Sequence, residues 1–253
     1  MLELSKMSHF ESRSVCPENF TGEKGKAAMA TEGTGADRAA GLGQGWKISP
    51  SVVVQPGEVF TMADITGPGI IRHIWITDSC PKNRTLILRM YWDVSDTPSV
   101  EVPLGDFFAC AEYQNYAQVT SLPVCVNPKR AFNCYWDMPF YQNARITIEN
   151  IYHEKITVYY QIDYHAGEIP EKRGYFHAQF RRENPLKERV STRFWTMFRE
   201  MASMWVHISS GASTITVGGA RARSSSIWTV TRNSPPSAVP AQRITSAAPG
   251  IST

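Results

Sequence analysis

No apolar run in the chain approaches the ~20 residues that a membrane-spanning helix requires; stretches such as 51–54 and 86–88 are typical. Residues 1–11 carry charges and no apolar centre, so they do not read as a secretory signal. The five cysteines, at 16, 80, 110, 125 and 134, form no CxxC pair, and their odd number leaves one over in any disulfide scheme. A reduced, cytoplasmic protein is the expectation. No phosphate loop is present either. Around Gly25-Lys26 the pattern GxxxxGK[ST] would need glycine at Phe20 and a hydroxyl at Ala27.

Lysine and aspartate are missing altogether after residue 190. The first 190 residues hold 20 Lys+Arg against 22 Asp+Glu, while the last 63 hold six arginines against Glu200 alone. The formal charge of +3 therefore comes from the tail. Its arginines are scattered among 20 Ser+Thr rather than clustered, so the charge points to no nucleic-acid partner.

No window of eleven residues before the tail sustains a 3.6-residue period; short β-like segments are there instead. Ser51–Val54 ends at Pro56-Gly57, and Glu58–Ile65 ends at Gly67-Pro68-Gly69. In 70–77 strict alternation places Ile70, Arg72, Ile74 and Ile76 on one side and Ile71, His73, Trp75 and Thr77 on the other. In 84–94 the residues Leu86, Leu88, Met90 and Trp92 share a face. Segments 145–151 and 155–164 are rich in Ile, Val, Thr and Tyr, which suit a pleated, half-buried surface. Strands at this spacing without helices between them predict an all-β, antiparallel jelly-roll or Greek-key sandwich over residues 51–190. Residues 1–50 read as a glycine-rich N-terminal arm, with seven of the 17 glycines in 21–45, either flexible or a loop ordered by packing on something else.

Histidines 73, 153, 165 and 177 show no HxH or HExxH spacing, so no metal is expected, and the cysteines lie beside apolar residues as inert core thiols do. Trp46, Trp75, Trp92 and Trp136 sit next to polar residues, the combination that binds a sugar through ring faces and hydroxyl acceptors. Strand tryptophans more often belong to the core. Asp78, Asp93, Asp106, Glu112 and Asp137 follow strand-like stretches, and two converging carboxylates would serve glycoside chemistry.

The stretch Gly67-Pro68-Gly69-Ile70-Ile71-Arg72-His73-Ile74-Trp75 resembles the signature of glycoside hydrolase family 172, formerly domain of unknown function 2961. The likeness continues in Arg89–Asp93, Pro98–Phe108, Asn133–Phe140, Ala144–Asn150, Tyr160–Tyr164 and Tyr175–Glu183, and the stretch from Ser12 to Trp46 is similar to the family's opening. It implies a double jelly roll of which residues 51–190 are the first half. It also implies homotrimers or hexamers, no cofactor, and action on fructofuranosides or arabinofuranosides by a retaining mechanism with two glutamates, as in difructose-anhydride synthases and α-D-fructofuranosidases. Substrate contacts within this half are expected at Glu18, Asn19, Trp46 and Trp75. A non-catalytic carbohydrate-binding protein or a capsid-like structural subunit is the alternative.

The resemblance stops near residue 190, and the remainder is expected to be a disordered, low-complexity segment read in the wrong frame. Thr192–Met197, written ACA CGA TTC TGG ACA ATG, gives TILDN from the third base. Val217–Arg223, written GTT GGT GGG GCG AGG GCG AGA, gives WWGEGE, and Pro236–Ser246 treated likewise gives ICGTGTEDYF. Both motifs look like the family's, in the family's order. The glutamates that the resemblance assigns to catalysis lie in them, whereas Arg221 and Arg243 stand nearby in the chain as written. No catalytic residue is expected in this polypeptide, which is therefore expected to be inactive.

Overall fold

The computed structural model describes residues 9–39, 41–80, 82, 84–110, 117–171, 173–183, 202–212 and 221–231. The strands are β1 (Glu11–Val15), β2 (Val52–Val54), β3 (Val59–Thr66), β4 (Gly69–Asp78), β5 (Leu86–Trp92) and β6 (Val100–Pro103), followed by the one-turn helix α1 (Leu104–Phe107). Then come β7 (Val119–Thr120), β8 (Val124–Val126), β9 (Phe132–Cys134), β10 (Met138–Phe140), β11 (Asn143–Asn150) and β12 (Ile156–Ala166). The last three are β13 (Phe176–Glu183), β14 (Ala202–Ala212) and β15 (Arg221–Thr231).

These strands make two sheets. The first runs β1-β12-β4-β9-β8-β7, with β2 also on β12 and β10 also on β4. The second runs β14-β15-β13-β6-β5-β11-β3. Pairings among the described residues are antiparallel except that of β13 with β6. The chain is thus an all-β, two-sheet protein, as the strand pattern indicates.

Alternation decides what lies between the sheets. Leu86, Leu88, Met90 and Trp92 of β5 are buried together, and Ile156, Val158, Tyr160 and Ile162 of β12 join the same core. Each such side chain contributes roughly 1.5–3 kcal/mol by leaving water. Trp92 is fully buried and donates its indole N–H to the Phe176 carbonyl at 2.6 Å. That makes it a core residue and removes it from the set of exposed sugar platforms.

In β4 the simple alternation fails at one place. Ile71, not Ile70, joins Ile74 and Ile76 in the core cluster. The register against β12 runs Ile74↔Ile162, His73↔Asp163, then Ile71↔Tyr164, which leaves Arg72 as the extra residue of a β-bulge. A second irregularity faces it. β9 meets β4 at Ile74↔Cys134 and β10 resumes at Ile71↔Met138, so residues 135–137 lie opposite only two residues of β4.

The arm joins the first sheet, where β1 pairs with β12 over five residues. Farther along, Gly35 N–H donates to the Ile48 carbonyl at 2.9 Å. At Gly33 a Cβ would come within 2.4 Å of the Ser49 Cβ, so only glycine allows that approach. Within the tail, β14 and β15 are paired strands. Among the described residues no helix is long and apolar enough to cross a membrane.

Candidate functional site

The outward face of the first sheet carries a small lattice of polar and aromatic side chains. Strand register builds it. One row across the sheet is His73, Asp163 and Ser14, and Tyr135 extends it just beyond the end of β9. The next row is Asn133, Trp75 and Gln161. Alternate positions inward, at Ile74, Cys134 and Ile162, are in the core.

His73 is held at both ring nitrogens. Its Nδ1 lies 3.0 Å from Asp163 Oδ2 and its Nε2 lies 3.2 Å from Asn133 Oδ1. The Asn133 amide is oriented by its own N–H groups, which donate to the Ala131 carbonyl at 3.0 Å and the Cys125 carbonyl at 3.5 Å. Both nitrogens of His73 therefore face acceptors, and only the imidazolium satisfies both. Accordingly the bond to Asp163 raises the His73 pKa above its ordinary value, against an opposing effect of burial, with Asn133 adding to the rise. Burial alone would raise Asp163, but the bonds from His73 and Gln161 hold its pKa below the usual value. The Tyr135 ring stacks on His73 with centroids 4.7 Å apart and planes 10° apart, and is itself 51% exposed.

The four expected contact residues are dispersed around this face. Trp75 sits in the lattice, half-buried, between Asn133 and Gln161. Glu18 lies in the turn after β1; its Oε1 accepts from the Ser49 N–H at 2.6 Å, while Oε2 is buried without a hydrogen-bond donor among the described residues. Asn19 is engaged in shaping the same turn. Its side chain donates to the Glu23 carbonyl at 2.9 Å and accepts from the Thr21 hydroxyl at 3.3 Å. Trp46 is 55% exposed, three residues before Ser49. Glu18 thus adjoins the segment bearing Trp46, and no hydrogen bond or ring contact among the described residues joins Trp75 to the other three.

Residues 47–161 match the family described as GH172 domain-like. The chain carries a GH172-like domain. The matched stretch contains His73, Trp75, Asn133, Tyr135 and Gln161 and leaves Glu18, Asn19 and Trp46 outside. No curated protein matches the chain.

Within the GH172-like domain and its flanks, the carboxylates singled out from the sequence have structural work. Asp78 is buried and held by Arg130 Nη2 at 3.1 and 3.2 Å and by the Cys80 N–H at 2.7 Å; burial raises its pKa, against the lowering effect of Arg130. Asp106, also buried, accepts a two-pronged bond from Arg84 at 2.8 and 2.9 Å. Asp93 Oδ1 accepts the N–H groups of Tyr141, Gln142 and Asn143, while Oδ2 accepts from the Tyr175 hydroxyl at 2.5 Å. Asp137 bridges Arg72 at 2.6 Å and Arg173 at 3.1 Å. Glu112 lies outside the described residues. Glu101 and Glu149, on the second sheet, come together only through Arg89, which bonds them at 3.0 and 2.7 Å. Carboxylate oxygens engaged in this way are committed to arginine or backbone donors.

The remaining candidates read as packing. Trp136 lies tilted on Phe176 with centroids 5.9 Å apart. The five cysteines are free, and burial pushes the Cys134 thiol up to about 12. Among the described residues no group of three or more His, Cys, Asp and Glu is placed to hold a metal ion. Arg221 opens β15, and Arg243 lies outside the described residues.

The sequence put His73, Trp75 and Thr77 on one side of a strand. It did not single out Asp163, Asn133 or Tyr135. The one available signal was that outward alternate positions on 73–77 and 133–135 are polar or aromatic where solvent would accept any residue.

Proposed function

We propose that the gene specifies a glycoside hydrolase or transglycosylase acting on fructofuranosides or arabinofuranosides by a retaining two-glutamate mechanism, and that this polypeptide as written lacks that activity. The match of residues 47–161 to the GH172 domain-like family carries the reading. In support of the missing activity, Asp78, Asp93, Asp106 and Asp137 are each occupied by arginine or backbone N–H groups. A retaining pair needs two carboxyl groups about 5–5.5 Å apart, one free to attack and one free to donate a proton. The two glutamates belong to the alternative frame of residues 217–246, where the printed chain has Arg221 and Arg243.

Glu18, Asn19, Trp46 and Trp75 are proposed contacts to the furanoside. Among the described residues the buried Oε2 of Glu18 has no donor, which supports this, since a sugar hydroxyl is the kind of donor it lacks. Assembly into homotrimers or hexamers and a cytoplasmic location belong to the same proposal.

Sequencing the DNA across codons 180–253 is the first test. A single inserted or deleted base near codon 190 supports the reading, and the frame-restored protein then releases sugar from furanosides while the present chain does not. An uninterrupted frame that reads as printed would sink it.

A further inference from the structure

Tyr135 and His73 are not in the core cluster, and among the described residues no hydrogen bond or ring contact joins their stack to Glu18, Asn19, Trp46 or Trp75. Its construction is nevertheless specific. The two-against-three irregularity at residues 135–137 lifts Tyr135 out of the β ladder, and its ring is laid within 10° of parallel to an imidazole locked from both sides. One ring face is covered by His73. The other accounts for the exposure of half the residue.

We propose that Tyr135, seated on His73, is a stacking platform for a neutral saccharide on the outer face of the first sheet, with Asp163 and Gln161 as the hydroxyl partners beside it. The choice of a furanoside as that saccharide rests on the function proposed above. An immobile aromatic face binds the C–H side of a sugar ring at little entropic cost. An imidazolium beneath the tyrosine holds the ring by cation–π attraction and lets it neither tilt nor flip inward. Beyond the platform, Asp163 lies two strand spacings from Tyr135, about 10 Å, and a saccharide of two rings covers that span. The Asp163 carboxylate accepts from His73 and Gln161 and keeps lone pairs for further donors. The Gln161 amide oxygen accepts as well. A hydrophobic protein partner would find this surface unsuitable, because a charged pair lies at its centre.

The test is titration of the full 253-residue chain with a fructofuranosyl disaccharide and, separately, a glucopyranosyl disaccharide, by calorimetry and tryptophan fluorescence. The furanosyl compound is expected to bind. Tyr135→Ala weakens it about five- to tenfold, Tyr135→Phe leaves it unchanged, and Tyr159→Ala, a change to another outward residue of β12, has no effect. Unchanged affinity in Tyr135→Ala with a wild-type circular dichroism spectrum overturns the platform, and so does absence of binding of both compounds at millimolar concentration. Binding of the glucosyl compound alone, lost in Tyr135→Ala, upholds the platform and removes the furanoside reading. In the frame-restored protein Tyr135→Ala raises KM with kcat unchanged; a fall in kcat at constant KM overturns the platform there while leaving the hydrolase reading intact.

Discussion

The Tyr160 hydroxyl donates to the Met62 carbonyl at 2.9 Å, and this single bond crosses from β12 in one sheet to β3 in the other. Tyr160 is 2% exposed, packs edge-on to Phe60, and burial raises its pKa. The two sheets therefore share a polar clamp within their common core. Tyr160→Phe keeps the ring and leaves the Met62 carbonyl without its donor. The expected loss is about 1–3 kcal/mol, seen as a lower urea midpoint with an unchanged m-value. An unchanged midpoint would show that water replaces the hydroxyl.

A second polar cross-link closes the corner between strands. Asn150 is fully buried, donates to the Val54 carbonyl at 3.0 Å and the Glu154 carbonyl at 2.8 Å, and accepts from the Tyr152 N–H at 2.9 Å. Asn150→Ala orphans three backbone groups. It is expected to cost at least about 2 kcal/mol, measured by thermal unfolding.

Removing one partner of a buried ion pair is worse than removing both. The Asp78 side chain is fully buried against Arg130. Arg130→Ala leaves that carboxylate without its counter-charge, the Cys80 N–H remaining, for an expected loss of about 3 kcal/mol. Adding Asp78→Asn to it should recover part of the stability, and a double-mutant cycle reads the difference.

The outward lattice gives stability a distinctive pH dependence. The His73 pKa is raised in the folded chain, so its contribution is fully present below the unfolded histidine value of about 6.5 and is lost as pH rises through the folded value. His177 acts in the opposite sense. Burial pushes it down to about 4, so it opposes folding progressively as pH falls from about 6.5 towards that value. Urea midpoints between pH 4 and 8 should show His73→Ala flattening the loss on the alkaline side. His177→Gln should remove the loss on the acid side, and swapped effects would refute the assignment.

Much of this fold is legible in the sequence because burial is periodic. Leu86, Leu88, Met90 and Trp92 announce β5 and its inward face without ambiguity. At Arg72 the same rule misleads, because a bulge is set by the pairing strand and leaves no mark on the bulged one. The lattice was less legible still. His73 and Asp163 are 90 residues apart and His73 and Asn133 are 60 apart. Only the register of three strands makes neighbours of them. The carboxylates Asp78, Asp93 and Asp106 looked available from the sequence because Arg130, the Tyr141 N–H and Arg84 lie 52, 48 and 22 residues away in the chain.

Where the composition changes, near residue 50, is the natural place to cut an expression boundary, and β1 shows what that cut would do. Residues 162–166 of β12 have their outer pairing only with 11–15. A protein trimmed to the compositional domain would present that five-residue stretch as a bare, adhesive edge next to β2, ready to recruit the same stretch of a neighbouring molecule. A form of the protein meant to stay dispersed in solution should therefore start at or before Glu11.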